Sequence, residues 1–316
     1  QVGDVRPWNP EDPALYEARV SINGGDGLVD GERRLRIGFR RVSIEGGVLA
    51  ANGKPLRLNG VNRHEVRADE VLMKSMGINA IRTSHYPPHP RLLDLADEIG
   101  LWVMLEGDIE THGFEGTEEW IDNPSDDPRW ADAYLDRTMR AFERDKNHPS
   151  IMSWSLGNES GTGANLAACA RWIHERTGGR ALVHYEGDHA LEYTDIYSRM
   201  YPTLEEVAAV LDDSDLHAEV AVPTHVAAQV DDAARERIRR APYLMCEYLH
   251  AMGTGPAGAL GYAAQMSHPR HAGGFVWEWR DHALWRTLPD GRRALSYGGD
   301  FGEEVHDGNF VCDGLV

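Results

Sequence analysis

Eight short apolar runs alternate with helical patterns along most of this chain, and that alternation constrains its fold more than any other feature. The runs lie at 56–61, 78–82, 101–105, 151–155, 182–185, 195–197, 243–246 and 274–277. Between them, apolar residues at helical spacing predict helices over 68–76, 89–99, 129–144, 164–176, 231–240 and 257–266. Three of these end at a glycine, Gly77, Gly100 and Gly178, the usual helix stop. Eight strands alternating with helices predict an α/β fold, a (β/α)8 TIM barrel. A doubly wound open sheet is the alternative. It is disfavoured because no glycine-rich phosphate loop follows the first strand.

The first 45 or so residues read differently. Residues 15–22 alternate with period two, 23–27 is a turn signal, and 34–39 is a second strand. Two or three strands are not stable alone, so residues 1–41 are expected to be the end of a β-sandwich domain, with the barrel over 42–316. A small hairpin at 42–50 and an Asn52-Gly53 turn open the second unit. The chain begins Gln1-Val2-Gly3-Asp4 and stops at Gly314-Leu315-Val316, which reads as a piece of a longer polypeptide.

Chemistry is expected where the strands end, because that rim carries the active sites of such barrels. Glu159 follows the fourth strand and Glu247 ends the seventh. A carboxylate there is costly to bury unless it is paired or used. Two of them suit glycosidic bond cleavage: one protonated to serve the leaving oxygen, one ionised to attack or to activate water. Retaining and inverting chemistry both fit the sequence, and so does a pair of unrelated salt-bridged glutamates. Other strand ends carry Asn62-Arg63-His64-Glu65, Arg82-Thr83-Ser84-His85-Tyr86, Glu106, Tyr197 with Tyr201, His250, and Trp277-Glu278-Trp279. Aromatic rings suit a sugar's apolar face, and acids and histidines suit its hydroxyls. Glu110 and His112 point to one side of an extended segment. With a third acid they would hold Mg2+; otherwise they form a hydrogen-bonded His–Glu pair. The net charge of −19 argues against nucleic acid or an anionic membrane as the main partner. No apolar run is long enough to span a bilayer. Cys169, Cys246 and Cys312 are too far apart for a metal or disulfide pattern, and are read as free thiols of a reducing, cytoplasmic compartment.

Longer motifs carry a family resemblance. The run from Asn79 to Pro87, with Leu92, Leu93, Asp97 and Gly100-Leu101-Trp102, resembles the first signature of glycoside hydrolase family 2. The run from Asp145 to Glu159 resembles its acid/base signature. Ile109-Glu110-Thr111-His112-Gly113, the run from Cys246 to Gly253, and Tyr297-Gly298-Gly299-Asp300-Phe301-Gly302 are similar to the family's large bacterial β-galactosidases. The resemblance implies Glu159 as acid/base and Glu247 as nucleophile of a retaining β-galactosidase that cleaves terminal β-D-galactosides such as lactose. It implies Mg2+ on Glu110, His112 and Glu159, and Na+ at the Phe310 carbonyl and Asp313. His64, His85, Asn158, His250 and Trp277 would contact galactose, Tyr201 would lie beside the nucleophile, and Arg82 would orient it. It further implies that residues 1–41 end an immunoglobulin-like sandwich and that the full-length protein is a homo-oligomer. Departures include Leu105-Glu106-Gly107-Asp108 for the family's Asp-Glu-Ala-Asn, Leu249 for a small residue, Thr254 for Asn, Asp313 where some members have Asn, and a shorter loop after Glu65. Rival readings are a β-glucuronidase or β-mannosidase of the same family, and a non-catalytic carbohydrate-binding barrel.

Overall fold

The structure is a computed structural model and describes residues 3–23, 29–65, 69–116, 120–212 and 230–316. The loop after Glu65 and most of the first turn signal therefore lie outside the described residues. The chain opens with an antiparallel pair, β1 (Tyr16–Asn23) and β2 (Val29–Ile37). A three-stranded antiparallel sheet follows, β3 (Val42–Glu45), β4 (Val48–Ala51) and β5 (Lys54–Pro55).

Eight strands then form one parallel sheet: β6 (Leu58–Asn62), β7 (Ala80–Arg82), β8 (Trp102–Glu106), β9 (Ile151–Ser155), β10 (Val183–His184), β11 (Tyr197–Met200), β12 (Tyr243–Tyr248) and β13 (His271–Val276). They pair in chain order from β6 to β10 and from β11 to β13, and β13 returns to β6. The remaining seam is joined by one parallel bridge, His184 to Ile196, so the sheet closes as the expected barrel. Helices α1 (Glu70–Ser75), α2 (Pro90–Ile99), α3 (Ala131–Asp145), α4 (Ala164–Thr177), α5 (Leu204–Asp212), α6 (Asp232–Arg240) and α7 (Ala259–Gln265) connect the strands. After β13 the chain forms an antiparallel hairpin, β14 (Leu284–Thr287) and β15 (Arg293–Ser296).

Period-two alternation sorts side chains between two cores. Ile81, Val103 and Leu105 face the helices and pack with Leu92, Leu93, Ala96 and Phe142. Leu58, Ala80, Met104, Met152, Leu244 and Phe275 pack in a second cluster with Leu49 of the small sheet and Leu56 just after it. Gly60 is required in that second cluster, because a Cβ there would lie 2.2 Å from the Phe275 ring. Trp8, from the first unit, joins the same cluster. It is fully buried, meets Trp102 edge-on with ring centroids 4.9 Å apart, and its indole N–H donates to the Asp97 carbonyl at 2.9 Å. The second cluster joins the small sheet to the barrel strands, and the later ends of those strands carry polar groups such as Arg82 and Glu106.

Two elements differ from the sequence reading. The sixth barrel strand lies downstream of 195–197, because Tyr197 to Met200 pair with β12 while Ile196 makes only the closing bridge. Helix α5 was not expected. Its start is a reciprocal cap: the Thr203 N–H donates to Glu206 Oε2 at 2.6 Å and the Glu206 N–H to Thr203 Oγ1 at 3.2 Å.

Candidate active site

Strand ends place the polar groups on one rim. Arg82 ends β7, Glu106 ends β8, and Glu247 lies near the end of β12. Asn158 and Glu159 follow β9. Gly157 lets that turn approach the 108–110 segment, since a Cβ there would lie 2.4 Å from the Ile109 carbonyl. The Asn158 N–H donates to that same carbonyl at 2.9 Å, and Glu110 pairs with Asn158. Glu159 has φ +36°, in the left-handed region, which turns the chain sharply at the rim.

Arg82 organises the site. It is fully buried and all five of its N–H donors are used. Nε and Nη2 donate to the two Glu106 oxygens at 2.7 and 3.1 Å. Nη1 donates to Asn62 Oδ1 at 3.0 Å and to Glu247 Oε1 at 2.5 Å. Nη2 also donates to Asn158 Oδ1 at 2.8 Å. The Asn158 amide in turn donates to Glu110 Oε2 at 2.9 Å and to Glu159 Oε2 at 3.4 Å. One guanidinium thus ties both candidate catalytic acids into a single network. Burial alone would push the Glu106 carboxyl up, but Arg82, His85 and Ser155 pull it down to about 2.

The two glutamates sit in opposite settings. Glu247 is buried and accepts from Arg82 on one oxygen and from the Tyr201 hydroxyl, at 2.8 Å, on the other. Glu159 is half-exposed. Burial raises its pKa first, the nearby His112 opposes this, and Glu247 raises it further. A carboxyl with a raised pKa beside a charge-compensated one is the division of labour an acid and a nucleophile need.

A wall of rings borders this pair. His85 stacks on Trp277 at 5.2 Å with 12° between planes, and its Nδ1 lies 2.8 Å from Glu106 Oε1. His64 meets both rings edge-on at 5.6 and 5.5 Å. His250 lies 5.6 Å from Tyr201, 6.5 Å from Trp277 and 5.6 Å from Phe310. The Trp277 indole N–H donates to Asp313 Oδ2 at 2.8 Å. Asp313 is buried, yet its Oδ1 accepts no hydrogen bond. An orphaned carboxylate oxygen of this kind fits a cation.

Ligand atoms of Glu110, His112 and Glu159 lie within 4.8 Å of one another. Burial lifts Glu110 to about 7, with the neighbouring acids Glu159 and Glu106 adding to it against the Asn158 hydrogen bond. Mutual repulsion among acids is relieved by a cation, and two carboxylates with one imidazole suit Mg2+ better than Zn2+. The alternative Glu110–His112 pair is not formed. His112 Nδ1 contacts Glu159 Oε2 at 3.0 Å, its Nε2 contacts Glu115, and Glu110 bonds Asn158.

The candidate catalytic, sugar-contacting and metal residues therefore gather at this rim, whereas Tyr197 begins β11 and packs in the core against Tyr243, and Trp279 is fully buried in the helix-facing core. Glu186 was missed. It follows β10 and Tyr185, and its Oε1 accepts the Glu159 N–H at 2.9 Å. Burial pushes its carboxyl up to about 8, with Glu159 next. The Tyr185 hydroxyl accepts the Ser160 N–H at 2.9 Å and donates to the Gly161 carbonyl at 2.7 Å. The signal was present, because the fifth strand also ends in a carboxylate.

Comparison with known proteins matches residues 42–316 to the model for glycosyl hydrolases family 2, TIM barrel domain, and residues 1–40 to that for glycosyl hydrolases family 2. The chain belongs to glycosyl hydrolases family 2. A β-galactosidase of Arthrobacter sp. (strain B7) is 50% identical over 99% of this chain and 30% of its own length. A β-galactosidase of Kluyveromyces lactis is 38% identical over 98% of this chain and 32% of its own. This family member thus spans about a third of those relatives. Among solved structures, a β-glucuronidase from Ruminococcus gnavus aligns with a TM-score of 0.65 at 20% identity, covering 88% of this chain and 52% of that one. That likeness shows the fold alone.

Proposed function

We propose that this chain is the catalytic barrel of a retaining β-galactosidase acting on terminal β-D-galactosides such as lactose. The observation that carries the reading is the Arg82 network, which joins a buried, doubly hydrogen-bonded Glu247 to a Glu159 of raised pKa beside an aromatic wall. In the first step Glu247 attacks the anomeric carbon. Glu159 gives its proton to the leaving oxygen as that bond breaks, and a galactosyl ester of Glu247 forms. In the second step Glu159 takes a proton from water, the water oxygen attacks the anomeric carbon, and Glu247 leaves as carboxylate. Tyr201 and Arg82 hold the Glu247 oxygens in place for attack and departure. Trp277 and His85 offer a flat face to the sugar ring, and His64, His250 and Asn158 serve its hydroxyls.

Mg2+ would be held by Glu110, His112 and Glu159, where it would supply positive charge beside the acid. Na+ would be held by the Phe310 carbonyl and Asp313. Three free cysteines, two of them buried, fit a reducing cytoplasm, and the complete protein is proposed to be a homo-oligomer. Among the described residues, no helix is long and apolar enough to cross a membrane.

A panel of nitrophenyl glycosides tests the substrate class on the complete polypeptide. The β-D-galactoside should be cleaved with a kcat/KM at least about 10²-fold above the β-D-glucuronide and β-D-mannoside. Preference for either rival would move the chain to another activity of the family, and galactose binding without turnover would make it a binding barrel.

A further inference from the structure

A second cluster of ligand atoms lies at the far side of the ring wall. His64 Nδ1 is 2.9 Å from Glu278 Oε2, and His282 Nε2 is 3.1 Å from Glu278 Oε1. The two imidazoles meet edge-on with centroids 4.7 Å apart, and one donor atom from each of the three residues lies within 4.8 Å of the others. Ligands of one tetrahedral zinc, each about 2.0–2.2 Å from it, sit roughly 3.4 Å apart. The cluster is therefore already near that spacing.

The backbone holds the three residues in place. The Glu278 N–H donates to the Asp313 carbonyl, and the Glu278 carbonyl accepts from Leu315, both at 3.0 Å. The His282 N–H donates to the Val311 carbonyl at 3.0 Å. Glu278 is buried, and the flanking histidines hold its carboxyl down at about 2 against the cost of burial. His282 Nε2 is buried and faces Glu278 Oε1 at 3.1 Å without the alignment of a regular hydrogen bond. Both histidine side chains remain about one-quarter exposed, which leaves an entry path and room for water.

We propose that His64, Glu278 and His282 form a transition-metal site of the Zn2+ class, separate from the Glu110–His112–Glu159 cluster. The donor sets sort the ions. Two imidazoles and one carboxylate favour Zn2+ and its neighbours, whereas two carboxylates and one imidazole favour Mg2+. Because His64 is also part of the ring wall, occupancy would fix one side of the candidate sugar pocket.

The test titrates Co2+ into the complete polypeptide in excess Mg2+ and follows the visible absorption of tetrahedral Co2+. One Co2+ per chain is expected, displaced by Zn2+. His282→Gln should weaken it at least tenfold, Glu278→Gln should do the same, and His112→Asn should leave it in place. No tetrahedral Co2+ in the unmodified protein would overturn the site, as would equal binding by His282→Gln. The readout needs no turnover, so it stands or falls independently of the galactosidase reading.

Discussion

Replacing Glu186 by alanine tests how the acid is held, because the contact is to its backbone and not to its reactive group. Glu186 Oε1 accepts the Glu159 N–H at 2.9 Å, in a turn where Glu159 adopts φ +36°. Alanine leaves that N–H without its acceptor. A buried donor left unsatisfied costs about 1–3 kcal/mol. If the turn relaxes to find another partner, the Glu159 carboxyl moves with it. A misplacement of about 1 Å costs on the order of 10²-fold in rate, and 1–3 kcal/mol in the barrel's transition state corresponds to roughly 5- to 150-fold. The expectation for Glu186→Ala is thus a kcat lower by about 10- to 100-fold, with KM changed much less, because Glu186 makes no hydrogen bond to the ring-wall residues. Glu186→Gln offers a carbonyl oxygen in the same place and should recover kcat to within about threefold. The assay is steady-state hydrolysis of a nitrophenyl β-galactoside by the complete polypeptide, with near-ultraviolet circular dichroism to check the fold. A glutamine variant as impaired as the alanine variant would refute the argument, since the acceptor would then not be what matters.

Three further outcomes follow from the geometry. Tyr201→Phe removes the 2.8 Å donor to Glu247 Oε2 and should lower kcat by about 10-fold or more, read in the same assay. Glu106 is depressed to about 2, so its stabilising contribution is complete above its unfolded value near 4.5 and is lost as pH falls through about 2. That span corresponds to on the order of 3 kcal/mol, and urea unfolding between pH 5 and pH 2 should show a flatter stability profile for Glu106→Gln. A chelator should lower the activity of the complete protein and added Mg2+ should restore it; unchanged activity would remove the metal role of Glu110, His112 and Glu159.

Much of this was legible in the sequence because burial leaves a plain mark on barrel strands. Residues such as Val103 and Leu105 must be apolar toward the helices, so the runs stand out, and a polar residue that ends one, such as Glu247, stands out against them. The ring wall was legible only as a set of strand ends. That His85 stacks on Trp277, and that Arg82 reaches Asn158 and Glu247 together, depends on side-chain reach across the barrel, which no local pattern encodes. Glu186 directly follows the sequence run 182–185, but nothing local in that run shows that its carboxyl turns back to accept the Glu159 N–H. Helix α5 was overlooked although Thr203 and Glu206 spell its cap, and Val207, Val210 and Leu211 mark its buried face. The displaced sixth strand has a physical cause: Tyr197–Met200 is polar at Ser198 and Arg199, and its strand character comes from pairing with β12 rather than from its own composition.

The central claim is that Glu247 carries the sugar between the two steps. Treating the complete polypeptide with a 2-fluoro galactosyl fluoride, which forms the ester but hydrolyses slowly, and mapping the added mass by peptide mass spectrometry tests it directly. The account predicts one adduct per chain on Glu247, absent in Glu247→Gln. An adduct on Glu159 or elsewhere, or steady turnover by Glu247→Gln, would contradict it.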